Sequence, residues 1–279
     1  MSTIEDRMMA ADTRDRPHYS IGVLLDAEDF YAEQSYHRGR LARALGYLFG
    51  QGTVAGLEVR PPALADDPDF LRVMPGLALD RLGRLVELRQ MYCLRLQRWY
   101  RAQSADELAA AFHADRGGVV ADVFIRFEVC PNGKTPAFAR GPFDAVDAVE
   151  PSRLRDAARV TIRLRDDRVS DANPRLPASP WPNLSALPEA DRVAALKQAV
   201  LGAWREGTQF ESGGALDPLP EHAAGQDTTD LFLARLVIPS GPPPGGDQPP
   251  PRLDAPVQVD NLARAFALAP PAALRWLGL

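Results

Sequence analysis

Asp26-Ala-Glu-Asp-Phe30-Tyr-Ala-Glu-Gln34-Ser-Tyr-His37-Arg-Gly-Arg-Leu41-Ala-Arg-Ala-Leu45-Gly-Tyr-Leu48 is the stretch from which the architecture is read. Phe30, Gln34, His37, Leu41, Leu45 and Leu48 recur at intervals of three and four, which lays one stripe along a helix of about six turns. Asp26 is placed to cap it, because a carboxylate there accepts from amides that lack intrahelical partners. Glu28 and Asp29 put negative charge in the first turn, where the helix dipole favours it. Gly50 and Gly52 end the helix. The apolar stripe is expected to face the core, with Glu33, Arg40 and Arg43 on the opposite side.

Working outward, the segment after the helix reads as β structure. Thr53 to Val59 is a short strand, and Leu71 to Leu79 is another, with Pro75 forcing a bulge or an edge because it has no amide proton. Asp80-Arg-Leu-Gly83 is a tight hairpin connection leading to a strand from Arg84 to Leu88. Met91 to Gln97 continues as a strand, and Ser104-Ala-Asp-Glu107 is a capping box that opens a short helix. Val119 to Val129 is the most strand-like run, with Val123, Ile125, Phe127 and Val129 on one face. Arg159 to Arg165 alternates as a half-buried strand. Pro188 to Arg205 is a helix with Val193, Leu196, Val200 and Trp204 in one stripe, and Leu231 to Ile238 and Val257-Gln-Val259 are strands. Before the long helix, residues 1–19 read as a mobile arm. The Pro/Gly tract 240–251 reads as a stiff spacer, and the chain ends in an apolar tail over 267–279.

The predicted fold class is therefore α+β: a long N-terminal helix packed on a mostly antiparallel β-sheet body with Pro-rich loops. Its parts are an arm (1–19), a core (20–167), a Pro-rich segment with one helix (168–228), C-terminal strands (229–266) and the tail (267–279).

The chain of 279 residues carries 32 Lys plus Arg against 37 Asp plus Glu, a net charge of −5. Such a balance offers no basic face for a polyanion, so no nucleic-acid partner is expected. No apolar run reaches the ~20 residues that cross a bilayer. The opening Met-Ser-Thr-Ile-Glu lacks the apolar region of a Sec signal peptide. A cytoplasmic protein without membrane insertion is expected. Cys93 and Cys130 fit neither a disulfide framework nor a zinc pattern, and read as two buried thiols.

Other motifs point to turns more than to chemistry. Gly133-Lys-Thr135 follows a strong strand as a phosphate loop would, but Glu128 stands where the first glycine belongs and Pro136 opposes a helix. Gly50, Gly52 and Gly56 come in the order helix, glycines, strand, the reverse of a dinucleotide fold. His18, His37, His113 and His222 are scattered, and Asp66, Asp67 and Asp69 are interrupted by Pro68, so neither set builds a metal site. Asp166, Asp167 and Asp171 would be the acid/base set of a hydrolase. Trp99, Tyr100 and Trp181 would be the platform of a carbohydrate- or surface-binding module.

Three blocks taken together carry a resemblance. Gly22-Val-Leu-Leu-Asp-Ala-Glu-Asp-Phe-Tyr-Ala-Glu-Gln-Ser-Tyr-His-Arg-Gly-Arg-Leu41, Gly52-Thr-Val-Ala-Gly-Leu-Glu-Val59 and Val73-Met-Pro-Gly-Leu-Ala-Leu-Asp-Arg-Leu-Gly-Arg84 resemble a family of phage-tail-like proteins. Its members are similar to components of bacterial contractile injection systems and to tail-fibre attachment regions. Phe124-Ile-Arg-Phe-Glu-Val-Cys-Pro131, Glu150-Pro-Ser-Arg153, Leu231-Phe-Leu-Ala-Arg-Leu-Val-Ile238 and Val259-Asp-Asn-Leu-Ala-Arg264 fit the same order. The resemblance spans residues 20–165 and 229–266, and departs from the family at Phe49-Gly-Gln51, where a more polar turn is expected.

It implies a structural or adaptor component at a baseplate or fibre attachment point, assembled into a particle, with no catalysis and no cofactor. Its partners would be other subunits of the assembly, with self-association left open. Leu274, Trp276, Leu277 and Leu279 are the candidate partner contacts; closure of the protein's own core is the other use for them.

Overall fold

The computed structural model describes residues 15–62, 69–137, 149–165, 187–202, 216–245 and 248–267. Helix α1 (Ala27–Phe49) begins at a capping box: Asp26 Oδ1 accepts from the amides of Glu28 and Asp29, and Asp29 Oδ2 accepts from the amide of Asp26. Strands β1 (Gly52–Gly56), β2 (Val59–Arg60), β3 (Phe70–Val73), β4 (Gly76–Leu79), β5 (Leu85–Leu88) and β6 (Tyr92–Arg95) follow. They form two three-stranded antiparallel sheets, ordered β1-β4-β5 and β2-β3-β6.

The runs 53–59 and 71–79, read from sequence as single strands, each break and change sheet. They break side by side. Gly56 pairs with Gly76, and a Cβ on Gly76 would lie 2.4 Å from both the Ala55 carbonyl oxygen and the Leu57 nitrogen. Pro75 accepts from Leu57 through its carbonyl and needs no donor of its own there. Leu57 takes a left-handed φ of 56° and is fully buried, so core packing holds a conformation that its side chain disfavours.

Beyond β6, where a strand was expected to run to Gln97, helix α2 (Leu96–Arg101) starts at once; Asp69 Oδ1 accepts from the Gln97 amide at 2.6 Å. The expected capping box at Ser104 opens α3 (Ala105–Ala110). Then come β7 (Phe112–His113), the long β8 (Gly118–Asn132), β9 (Thr135–Pro136), β10 (Val149–Glu150), β11 (Arg153–Leu164), helix α4 (Glu189–Gly202), β12 (Leu231–Pro239) and β13 (Gln258–Asp260). The third sheet is ordered β11-β8-β12-β13, with β7 also on β8, and every pairing in it is antiparallel. A separate two-stranded pair joins β9 to β10, and residues from the other three sheets share one hydrophobic core with Leu57, including Leu71, Val86, Val123, Ile125, Leu233 and Leu236.

The fold is α+β, with the long helix on an antiparallel body as predicted, but the helix docks through a different face. Its buried residues are Ser35, Gly39 and Ala42. Phe30, Leu41 and Leu48 are 51%, 57% and 74% exposed. Contact with the hairpin between β4 and β5 decides this. Gly83 in that turn has φ 76°, and a Cβ on it would lie 1.8 Å from the Ala42 carbonyl oxygen. The helix meets the body backbone to backbone, so only its small side chains fit at the contact.

The Pro/Gly tract also differs from the expected spacer. Ser240 bridges Arg252, Gly241 donates to the Pro251 carbonyl at 2.8 Å, and Leu253 donates to that of Pro239 at 2.9 Å, which ties the two ends together. Of the cysteines, Cys130 is buried as expected and Cys93 is exposed, on a strand with little covering it.

Three polar groups in the body organise their surroundings. Asp122, fully buried in β8, takes a two-point contact from Arg235 of β12 at 2.7 and 2.9 Å and lies 3.4 Å from Arg165 Nε. Asp80 organises the hairpin turn by accepting from the amides of Leu82 and Arg84 and from the Arg84 guanidinium at 2.7 Å. At the free edge of β2, the Asn261 side chain accepts from the Val59 amide and donates to the Val59 carbonyl, each at 2.9 Å.

Removing one partner of a buried ion pair strands the other charge, at a cost of about 3–5 kcal/mol. Asp122→Ala should therefore lower the unfolding free energy by that amount in urea titration, and a loss below about 1 kcal/mol would show that the cluster is solvated. Gly83→Val should be destabilising by about 1–3 kcal/mol through overpacking alone, with strain at positive φ added, and wild-type stability would contradict the helix–hairpin contact.

Candidate functional site

Each residue group singled out in the sequence has a definite place or lies outside the described residues. Leu274, Trp276, Leu277 and Leu279 lie outside them, as do Asp66, Asp67, Asp166, Asp167, Asp171, Trp181 and Trp204. Asp69 is a helix cap that also lies 3.5 Å from Arg252. Trp99 packs against the core, and Tyr100 is buried with its hydroxyl donating to the Pro250 carbonyl at 2.9 Å. Those two aromatics thus build the interior and form no exposed platform. Gly133 is the turn between β8 and β9, a strand-to-strand connection without the helix a phosphate loop needs.

The structure brings His18 and His37 to one groove beside Glu33, which the sequence did not suggest, and among the described residues no group of three or more His, Cys, Asp or Glu is arranged to hold a metal ion. His222 is held on both sides: its Nδ1 accepts from the Leu219 amide at 3.1 Å, which makes Nε2 the donor to the Asp230 carbonyl at 2.9 Å. Both ring nitrogens are thus engaged by backbone groups. Nearby, Gln226 donates to Asp230 Oδ2 at 2.9 Å, and Asp227 accepts from Thr229 and lies 3.5 Å from Arg126. This network falls mostly within the segment read from sequence as Pro-rich with one helix (168–228), because side chains bonded to backbone and to one another have no spacing signature.

Two grooves among the described residues bring polar side chains together. One, of about 340 Å³, lies between Asp69, Gln97 and Arg252, whose polar atoms satisfy one another. The other, of about 360 Å³, lies between the 16–19 segment and α1 at Glu33 and His37. There Tyr19 donates its hydroxyl to Glu33, and that bond holds the phenol proton above its ordinary range. The second groove also presents Arg16 and His18 beside Tyr19, Glu33 and His37.

Large apolar side chains are exposed on strands and loops, as at Leu154 and Leu262, and on helices. Helix α4 has no buried residue and exposes Val193, Leu196, Val200 and Leu201. The lead into α1 exposes Ile21 and Leu24 almost completely, and α1 adds the outward Phe30, Leu41 and Leu48. No protein-family description matches the chain, and no curated protein matches it either. No helix among the described residues is long and apolar enough to cross a membrane.

Burial, countered in part by the Gln226 bond, pushes the Asp230 carboxyl above the ordinary carboxylate range, with Asp227 adding to the rise. The native state then binds an extra proton between the ordinary value and the raised one. The stabilisation is fully present below the ordinary value and is lost as pH rises through the raised one. Relative to Asp230→Asn, the wild-type urea midpoint should fall as pH rises out of the ordinary carboxylate range and then level off. A difference independent of pH would contradict the burial of an ionisable group there.

Proposed function

We propose that this chain is a structural or adaptor component of a phage-tail-like contractile injection particle, working through protein–protein contacts and not through catalysis. The observation that carries the reading is α4. It is a helix of 14 residues that places Val193, Leu196, Val200 and Leu201 in water and buries none of its residues in the described body. An apolar helical face of this kind is how one protein lays itself into a groove of another. Elsewhere the chain spends its polar groups on its own backbone, as at His222, Asp80 and Asn261, which suits a part whose work is shape. The order of sequence blocks that resemble the phage-tail-like family supplies the kind of assembly. On this reading the partners are other subunits, no cofactor is required, and the protein resides in the cytoplasm until it is built into the particle. A carbohydrate-binding module is less favoured, because Trp99 and Tyr100 are turned inward.

Sedimentation of lysate from producing cells, followed by blotting, tests the assignment. The wild type should pellet with sheath and tube. Val193→Asp with Val200→Asp should melt as the wild type does and stay in the supernatant. A wild type that never pellets with particles would overturn the assignment.

A further inference from the structure

The outward side of α1 has a register that its docking to the body does not explain. Phe30, Gln34, His37, Leu41, Ala44 and Leu48 are separated by four, three, four, three and four residues, the alternation of a coiled-coil seam. Counted in heptads, Phe30, His37 and Ala44 are d positions, and Gln34, Leu41 and Leu48 are a positions. The residues buried against the body, Ser35, Gly39 and Ala42, then fall at b and f, on the far side of the helix from the seam. Attachment through b and f turns a and d away from the sheets over a length of about 27 Å, with the chain's own 16–19 segment beside them at His37. Phe30, Leu41 and Leu48 are each more than half exposed along it.

The flanking charges say what fits this seam. Glu33 is at g and Arg38 at e, five residues apart, and in a parallel pair of helices a g residue meets the e residue five places later in its partner. Two copies of this chain in parallel register would thus match Glu33 to Arg38 twice. An antiparallel pair overlapping the whole seam would bring Arg38 against Arg38 and Arg40 against Arg40. Gln34 at an a position adds a polar layer of the kind that fixes register. Within one chain Glu33 contacts Tyr19 and lies 3.9 Å from His37, and the Arg38 guanidinium lies 6.0 Å from the centre of the Phe127 ring. Both charges hold contacts within the chain and flank the seam at g and e, so pairing across a dimer would add to those contacts. The bodies would sit on the outer sides of such a pair and not between its helices.

We infer that α1 is a self-association seam, through which two copies of this chain pair in parallel by the a/d face of 30–48. The inference stands apart from the particle assignment, which rests on α4. Light scattering and sedimentation velocity on the purified full chain test it. The wild type should be a dimer. Leu41→Asp with Leu48→Asp should be a monomer that melts as the wild type does, since neither residue belongs to the core. Glu33→Arg and Arg38→Glu should each weaken the dimer roughly tenfold, and mixing the two variants should restore a heterodimer, because each then offers the charge that the other lacks.

A wild type that is monomeric at the highest concentration it tolerates would overturn the inference. So would a Leu41→Asp, Leu48→Asp variant that loses melting temperature, which would mean that the chain's own segments cover the face. A dimer that survives those substitutions would place the contact elsewhere. Failure of the charge variants to complement would reject the parallel register.

Discussion

At Gly56 and Gly76 two backbones approach so closely that neither position has room for a Cβ, and the layout of the body depends on that approach. It lets two neighbouring strands leave one sheet and enter another at the same level, so β1-β4-β5 and β2-β3-β6 wrap a common core. Leu57, at the inside of the bend, is the first large side chain past the crossing and has no exposed surface. The bend costs conformational strain at Leu57 and is held by burial of the same residue. Once the two small sheets are folded about this corner, the long β8 has an apolar surface to lie on. Its ladders to β11 and β12 then complete the third layer.

The polar interior follows the same economy of short connections. Asp122 ties β8 to β12 and lies beside Arg165 just past β11, whose Nη1 donates to the Glu221 carbonyl at 2.6 Å. A single carboxylate thereby links the central strand, a neighbouring strand and the 216–230 loop. Arg264 does similar work at the other end, donating to the carbonyls of Leu57 and Asn261; burial brings its pKa down to about 10, so it stays charged at neutral pH. These ties join residues far apart in sequence, which is why the C-terminal strands belong to the same body as the corner.

The helices and strands with strong local signals were readable from sequence: the Asp26 cap, the Ser104 capping box, the Asp80–Gly83 hairpin and the alternating run of β8 all form where their residues dictate. What could not be read was the partner of each face. Spacing along α1 marks one apolar stripe and says nothing of whether a core or another molecule will cover it. The decisive fact, a hairpin glycine against the Ala42 carbonyl, joins residues about 40 positions apart. The strand breaks at 57–58 and 74–75 were legible only in part: Pro75 marked a bulge or an edge, but periodicity carries no mark of a change of sheet. The candidate surface was legible in part, since the α4 stripe of Val193, Leu196 and Val200 was visible, but its assignment to solvent required the fold.

Asn261 has a consequence for how this protein meets others. By using its amide on both the N–H and the C=O of Val59, one side chain imitates the rung that another strand would supply. The border of the β2-β3-β6 sheet at that residue is closed to strand addition, and with it a common route to unwanted aggregation. The guard is local: at Val59 the backbone that could template a neighbouring chain is already satisfied from within the fold.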